Sequence, residues 1–446
     1  MNTDDLLKRL DTDGIDNLSV VYHDYSGRAC AKTIPKERFA SVLSHGVVFA
    51  RANLSFTVDD HQSADASFLA ETGDFFAVPD PHSYVRVPYL DATARVHAFM
   101  CTEDGADWEG CPRARLKAIV DAYAAQGLSV RVGLEPEFYL LEHIAENEYR
   151  PVDRDGMFTL AGLERHYGLW KSVSDDLRDM DIVLEQFGKE YGPAQYEGTP
   201  LYNEPIRAVD HFLAFKDVIR ARARETGRVV SFMPKPYAHL PGCGLHVHVS
   251  LWNEDGSAEI TPGASDDQPL SETGGYFAAG LLKHARGLTG VGSPIVNSYK
   301  RLLPGSWAPV HVCWAVGNRA ALVRVPGLGR RRHLEYRSGD NAANPFLFVT
   351  ALLGAGLDGI TNRLPLPAPV DTDVGHLTAD QAAQRGLTFL PTSLPEALNA
   401  FETDEVLCET LGTVVATEFL KVKRSELAAY GLMVHPWERE MYLETI

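Results

Sequence analysis

The stretch VGLEPEFYLL (132–141) alternates at a period of two. Val132, Leu134, Phe138 and Leu140 fall on one face, and Glu135, Glu137 and Tyr139 on the other. Two carboxylates two residues apart on one strand face repel each other unless a cation lies between them or water solvates both. GCGLHVHVSLW (242–252) repeats the design, with Leu245, Val247, Val249 and Leu251 opposite His246, His248 and Ser250. Imidazole is a common metal ligand and a hydroxyl can bond a ligand's polar edge, although paired strand histidines also serve structure. HLEYR (333–337) places Glu335 and Arg337 on one face, and KEYGPAQYE (189–197) brings Glu190 and Glu197 round a Gly192-Pro193 bend.

Five glutamates and at least one histidine, with no thiolate, form an oxygen-rich donor set that favours Mg²⁺ or Mn²⁺ over zinc. Five carboxylates exceed what one such ion takes, so two or three ions are expected. Arg301, Arg319, Arg324, Arg330, Arg331, Arg332 and Arg337 add guanidinium forks, which match phosphate and carboxylate. Divalent ions beside arginines are what phosphoryl transfer requires. The run 330–332 reads equally well as a solvated basic loop.

Another stretch, NSYKRLLPGSWAPV (297–310), sends Lys300 and Arg301 into a Pro304-Gly305 turn and leaves Trp307 at or just past its tip. Loop tips usually carry small polar residues, so a large indole there is either packed or functional.

The elements that position these groups read as α+β. Residues 1–100 read mainly as short strands and turns in a small α+β module: LSVVYHDYSG, AKTIP, DFFAVPDP, YVRVPYL and ATARVHAFM. The acidic stretch CTEDGADWEGCPR (101–113) marks the boundary between a domain at 1–105 and a larger one at 106–446. A helix, RARLKAIVDAYAAQ, stops at Gly127; strands and helices alternate to about residue 350, and the rest is mostly helical. GAGLDG (354–359) matches a dinucleotide fingerprint, but Asn344 reads as an N-cap and Pro345 as the first helical residue. The motif then lies inside a helix, and no Rossmann site is expected. GxxxxGK[ST] and GxSxG are absent.

Composition narrows the class further. The chain has 446 residues, 45% hydrophobic and 23% charged, as in a soluble globular protein of about two domains. A formal charge of −18 disfavours nucleic acid and anionic membranes as bulk partners. The N-terminal residues do not resemble a signal peptide, and no apolar run approaches membrane-spanning length. Six scattered cysteines without a CxxC pair suit a reducing cytoplasm.

EPEF (135–138), EYGPAQYE (190–197), FMPKP (232–236), GCGLHVHVS (242–250), NSYKRLLPG (297–305), NRAALVRVP (318–326), LEYRSGDNAANPFL (334–347) and WEREMYLE (437–444) occur in an order that resembles the class I glutamine synthetase family over nearly the whole chain. The resemblance implies an N-terminal β-grasp domain, and a larger catalytic domain built on a curved antiparallel sheet flanked by helices. It also implies a dodecamer of two stacked hexameric rings, with active sites between adjacent subunits. Position by position, Glu137, Glu190 and Glu197 match the ligands of one metal, and Glu135, His246 and Glu335 those of a second that bridges the nucleotide phosphates. His248, Ser250 and Arg324 match nucleotide contacts, and Arg319, with Arg324, the transferred phosphate. Arg301 and Arg337 match residues that hold the substrate's carboxylates. Arg319 and Arg324 are five apart, so serving one site requires a bulge or twist. The implied chemistry is ATP-driven phosphorylation of the γ-carboxylate of glutamate, followed by attack of an amine on the acyl phosphate.

The departures cluster in one pocket. Where ammonia-using members carry a glutamate before Ala-Pro, this chain has Trp307, and an indole accepts no proton. The N-terminal loop, usually with an ammonium-binding aspartate, reads FARANLS (49–55). The Gly-Tyr-Phe-Pro segment has no counterpart near RDGMFTL (154–160). Removing anionic ligands disfavours a small cation and leaves room for a bulkier amine against the indole. A fourth change puts Pro241-Gly242-Cys243-Gly244 where the family has Asn-Gly-Ser-Gly, at a glutamate-binding position that includes Gly242. The tyrosine that some bacterial members adenylylate aligns near Gly375.

The expected activity is therefore an ATP- and Mg²⁺- or Mn²⁺-dependent ligase. It would join glutamate to a polyamine, ethanolamine, or an alkyl or aryl amine. The alternatives are an ammonia-using glutamine synthetase with a rearranged site, a non-catalytic family member, and a metal-dependent phosphohydrolase.

Overall fold

The computed structural model describes residues 1–265, 267–327 and 329–446. Among them, six strands (Asn17–His23, Ala29–Pro35, Val47–Ala50, Asp74–Pro79, Val85–Arg86 and Thr93–Cys101) form the N-terminal sheet. Its first and last strands pair in parallel, and its other pairings are antiparallel. Two helices, Thr3–Thr12 and Phe39–His45, add to the strands and turns expected here. The first buries Leu6 and Leu10, one turn apart, and opens on a reciprocal Asn2–Asp5 capping box. Its charged residues mask that short apolar pair in a linear reading.

Among the described residues the second sheet has nine strands. Its main path runs Trp314–Val316, Val323–Val325, Leu334–Tyr336, Leu245–Asn253, Leu128–Ala145, Gln195–Pro200 and Leu184–Lys189. It departs from the expected antiparallel sheet at one pair: Trp314–Val316 and Val323–Val325 run parallel. Each is only three residues long, so the loop between them suffices to return the chain without a crossover helix.

One face of the long strand is apolar, as its alternation demands, and Val132, Leu134, Phe138 and Leu140 are all buried. Helices Pro112–Ala124, Pro205–Glu225 and Pro345–Thr361 pack in the same interior. A continuous hydrophobic cluster joins Val20 and Val96 of the first sheet to Leu116, Val132, Val247 and Phe346. A second packs Phe138 and Leu140 against Trp170, Phe215 and Ile219.

Asn344 caps the helix Pro345–Thr361 as its sequence predicts, with Oδ1 accepting from the Leu347 N–H at 3.2 Å. Its Nδ2 donates to the Asp24 carbonyl of the N-terminal sheet module at 2.6 Å. GAGLDG lies inside this helix, in agreement with the rejection of a Rossmann site. Among the described residues, the six cysteines are free thiols and no helix is long and apolar enough to cross a membrane.

Candidate active site

Strand register gathers the polar groups into one row. Leu245–Asn253 pairs with the long strand so that His246 stands opposite Glu135, and with Leu334–Tyr336 so that His248 stands opposite Glu335. Arg324 lies opposite Glu335 on the next strand, and Glu197 opposite Glu137 on the other side of the long strand. Adjacent strands lie roughly 4.8 Å apart, so five neighbouring strands carry a continuous stripe of acid, imidazole and guanidinium.

Within the stripe, Glu335 is the most heavily paired acid. It accepts from Arg324 at 2.8 Å and from Arg337, just past the end of its own strand, and His246 Nδ1 lies 3.6 Å away. Burial raises its pKa, but Arg337, His246 and His248 outweigh that and hold it at about 2. Glu135 bonds His246 at 3.3 Å and His248 at 2.8 Å, and these bonds overcome its burial to hold it ionised well below the usual range.

His248 also contacts a residue that no local motif singles out. Its Nδ1 lies 2.9 Å from Nε2 of His333, whose Nδ1 lies 3.1 Å from the Arg331 carbonyl. A carbonyl only accepts, so His333 donates from Nδ1 and accepts at Nε2. His248 then donates at both nitrogens, because the Glu135 carboxylate on its other side also only accepts. The pKa directions agree: burial lowers both, but the bond to Glu135 raises His248 overall while His333 stays lowered.

The other carboxylates are poor in cations. Glu137 Oε2 accepts from the Gly244 N–H at 2.8 Å, and Glu197 accepts from Gln186 Nε2 at 3.0 Å. Burial first, and then repulsion from neighbouring glutamates, pushes both Glu190 and Glu197 up. Among the described residues, no three carboxylate or imidazole side chains close round a single point. Glu135 and Glu335 are instead drawn to histidines and arginines. The surplus of acid at Glu137, Glu190 and Glu197, all oxygen donors, fits a hard divalent cation.

The arginines divide into three groups. Arg301 is buried and donates to the Ser338 and Arg337 carbonyls at 3.0 and 3.1 Å, and among the described residues it has no carboxylate ion-pair partner. Gly242 and Gly244 make its room. A Cβ on Gly244 would lie 2.4 Å from Arg301 Nη2, and one on Gly242 would lie 2.7 Å from its Cγ. Arg319 sits in the turn before Val323–Val325; its carbonyl accepts from Arg337 Nε at 3.1 Å and its charge acts on Glu190. Arg319 thus lies in the turn and Arg324 on the strand that follows it. Arg332 is drawn away to the Ser265 carbonyl, Arg331 is exposed, and the Arg330 side chain lies outside the described residues.

Ser250 Oγ lies 2.9 Å from Trp252 Nε1, an indole lining a wide groove of about 1380 Å³ with Trp314 and Arg332. Trp252 and His333 are neighbours of the stripe missed in the sequence; each sits two residues from a selected position on its strand or the segment leading into it. Asn341 was missed as well. Its Nδ2 bonds the Glu137 and Gly244 carbonyls at 3.0 and 2.8 Å, clasping the two strands where their polar faces meet. Trp307 is 71% exposed and sits at φ +62, a left-handed conformation rarely adopted by a bulky side chain. It is not a core residue.

Residues 109–442 match the family model for the glutamine synthetase catalytic domain. The chain is 35% identical to a glutamine synthetase of Pyrococcus abyssi over 93% of its own length and 90% of the relative's. It is 32% identical to one of Thermotoga maritima over 99% and 100% of the two chains. Among solved structures, the ADP complex of GmaS superimposes with a TM-score of 0.88 at 30% identity, covering 98% of this chain and 99% of that one. A glutamine synthase homologue superimposes at 0.82 and 30% identity, covering 94% and 96%.

Proposed function

We propose that this chain, which belongs to the glutamine synthetase family of ATP-dependent carbon–nitrogen ligases, joins the γ-carboxylate of glutamate to an organic amine. A carboxylate is a poor acyl donor. Transfer of the γ-phosphoryl group of ATP to its oxygen gives an acyl phosphate and releases ADP; the neutral amine nitrogen then attacks the acyl carbon, inorganic phosphate leaves as the carbon–oxygen bond breaks, and the nitrogen gives up a proton to solvent. Divalent Mg²⁺ or Mn²⁺, when bound, neutralises phosphate charge and polarises the reacting oxygens.

Glu137, Glu190 and Glu197 would hold one ion, and Glu135, His246 and Glu335 a second. The doubly protonated His248, with Ser250 and Arg324, faces the nucleotide side, and the open guanidinium of Arg319 stabilises the transferred phosphoryl group. Arg301, fixed by two carbonyls, keeps its remaining donors for a glutamate carboxylate, with Arg337 and the Gly242 backbone beside it. The wide groove beside Ser250 supports a nucleotide reading, and a solved relative was captured with ADP.

The amine assignment rests on one observation: Trp307, six residues beyond Arg301, presents an exposed indole rather than a carboxylate. An indole face binds the carbon skeleton and charge of an organic amine and offers no base to ammonium. Phosphate release with ATP, glutamate and a panel of polyamines, ethanolamine, alkyl amines and aryl amines tests this reading. One organic amine is expected to outpace ammonium, and faster turnover with ammonium than with every organic amine overturns it. That second outcome would mark an ammonia-using enzyme, a reading favoured by the name glutamine synthetase on the full-length relatives.

We also place the domain boundary at 105/106 and the enzyme in the cytoplasm, and we read its working form as a dodecamer with intersubunit sites. The exposed Leu432, Met433, Val434, Trp437 and Leu443 at the C-terminus support burial against further copies.

A further inference from the structure

Behind the stripe, on the side away from the Glu190 and Glu197 carboxylates, lies a second polar group that the proposed chemistry does not use. The bend between these residues turns through Ala194 at φ +51, a left-handed conformation that costs a non-glycine residue of order 1–2 kcal/mol and persists only when its surroundings impose it. Gly192 is required by close approach, since a Cβ there would lie 2.4 Å from the Tyr139 hydroxyl. The bend is therefore strained, and something must hold it.

Two buried side chains do so. Lys189, with no exposed surface, reaches back over the Tyr196 ring and donates to the Glu190 carbonyl at 2.9 Å and the Gly192 carbonyl at 2.5 Å. Asp153, from the loop before the helix Leu160–Arg165, accepts the Ala194 N–H at 2.9 Å on Oδ1. Its Oδ2 lies 2.9 Å from the Tyr196 hydroxyl and 3.0 Å from His166 Nε2. An Arg228 guanidinium N–H donates to His166 Nδ1 at 3.0 Å, so His166 carries its proton on Nε2 and gives it to Asp153. Backbone carbonyls on one limb of the bend and the amide on the other are thus fixed by charged groups whose own bonds are nearly all made.

We propose that Lys189 and Asp153 are positioning residues that set the spacing of the Glu190 and Glu197 carboxylates, and thereby the affinity of the site for a divalent cation. The inference rests on the metal-dependent reading above. It extends that reading to the segment 153–166, which is tied to the carboxylate bend from behind. Groups that orient metal ligands typically change affinity 10- to 100-fold when removed.

The test is Mn²⁺ titration by calorimetry on the full chain without nucleotide, together with amide hydrogen exchange of residues 190–197 in the metal-free protein. Lys189→Met and Asp153→Ala are each expected to raise the Mn²⁺ dissociation constant at least tenfold and to speed exchange in that segment at least tenfold. Asp153→Asn, which keeps an acceptor for the Ala194 N–H, should stay within about threefold of the parent. A purely structural role would lower the melting temperature and leave the Mn²⁺ constant of the folded variants in place. Where Lys189→Met does not fold, Asp153→Ala and Lys189→Gln carry the same comparison. Folded Lys189→Met and Asp153→Ala variants that bind Mn²⁺ within twofold of a metal-binding parent overturn this inference alone. A parent that binds no Mn²⁺ overturns the functional reading, and this inference with it.

Discussion

Glu137 and Glu197 stand directly opposite each other on adjacent antiparallel strands. Like charges in that relation destabilise a sheet by about 0.2–1 kcal/mol. Glu197→Gln is nearly isosteric and should make the metal-free protein more stable by up to about 1 kcal/mol near pH 8 in urea melts. Burial and the neighbouring glutamates push the folded-state pKa of Glu197 up to about 11, so folding is penalised wherever the unfolded chain would ionise this group, and the gain should vanish as pH falls to the unfolded carboxylate value of about 4.3. The same variant should lose at least tenfold in Mn²⁺ affinity, measured by calorimetry.

Trp307 is exposed and left-handed, so its side chain contributes little to folding while its backbone carries strain. Trp307→Gly should therefore leave stability unchanged or raise it by about 1 kcal/mol in thermal melts. Trp307→Ala should shift the ranking of the amine panel more than it shifts the apparent constant for ATP. Trp307→Glu should slow the preferred organic amine at least tenfold in phosphate-release assays.

Gly244→Ala puts a methyl group against the movable end of Arg301 and 3.1 Å from His246 Nε2. The guanidinium can swing aside, so the fold should survive. The expected result is a rise of at least tenfold in KM for glutamate, with the melting temperature changed by no more than a few degrees.

His284 joins the helices Glu272–Lys283 and Ala285–Gly292, buried between Asp404 at 2.7 Å and Asp358 at 3.0 Å. Burial lowers its pKa, but the two carboxylates outweigh this and raise it. A raised folded-state value means the stabilisation is complete below the unfolded histidine value of about 6.5 and is lost as pH rises through the folded one. Urea melts from pH 5.5 to 9 should show that decline in the parent. His284→Ala should remove most of the decline and cost about 3 kcal/mol at the acidic end, where two half-buried acids lose the buried partner they share and, among the described residues, only Asp358 keeps another cation, Lys283.

Most of the stripe was legible because strands write their faces at every second residue. Glu135 and Glu137, His246 and His248, and Glu335 and Arg337 each declare themselves within three letters. Which strand lies beside which is a long-range fact, however, and no local pattern could state that His246 would oppose Glu135. The same limit hid His333, which acts only because its segment passes His248, and Asn341, whose value is the pair of carbonyls it spans. The helix Thr3–Thr12 was hidden differently: with two buried leucines among charges, its periodicity is too sparse to separate from a turn-rich stretch. The parallel pair Trp314–Val316 and Val323–Val325 escaped because three-residue strands carry almost no pattern.

Asn344 belongs to both halves of the molecule at once. One amide group starts the long helix under the catalytic sheet and, through its other atom, holds the carbonyl of Asp24. Swinging the N-terminal module away would break that hydrogen bond and disturb the helix's first turn. The two halves should therefore move as one body, and a neighbouring copy that grips the N-terminal sheet would pull directly on the element beneath the reacting groups. Expressed alone, the catalytic portion would also lose a partner for its own helix start, so cutting the chain at the apparent boundary should yield a less stable enzyme rather than a minimal one.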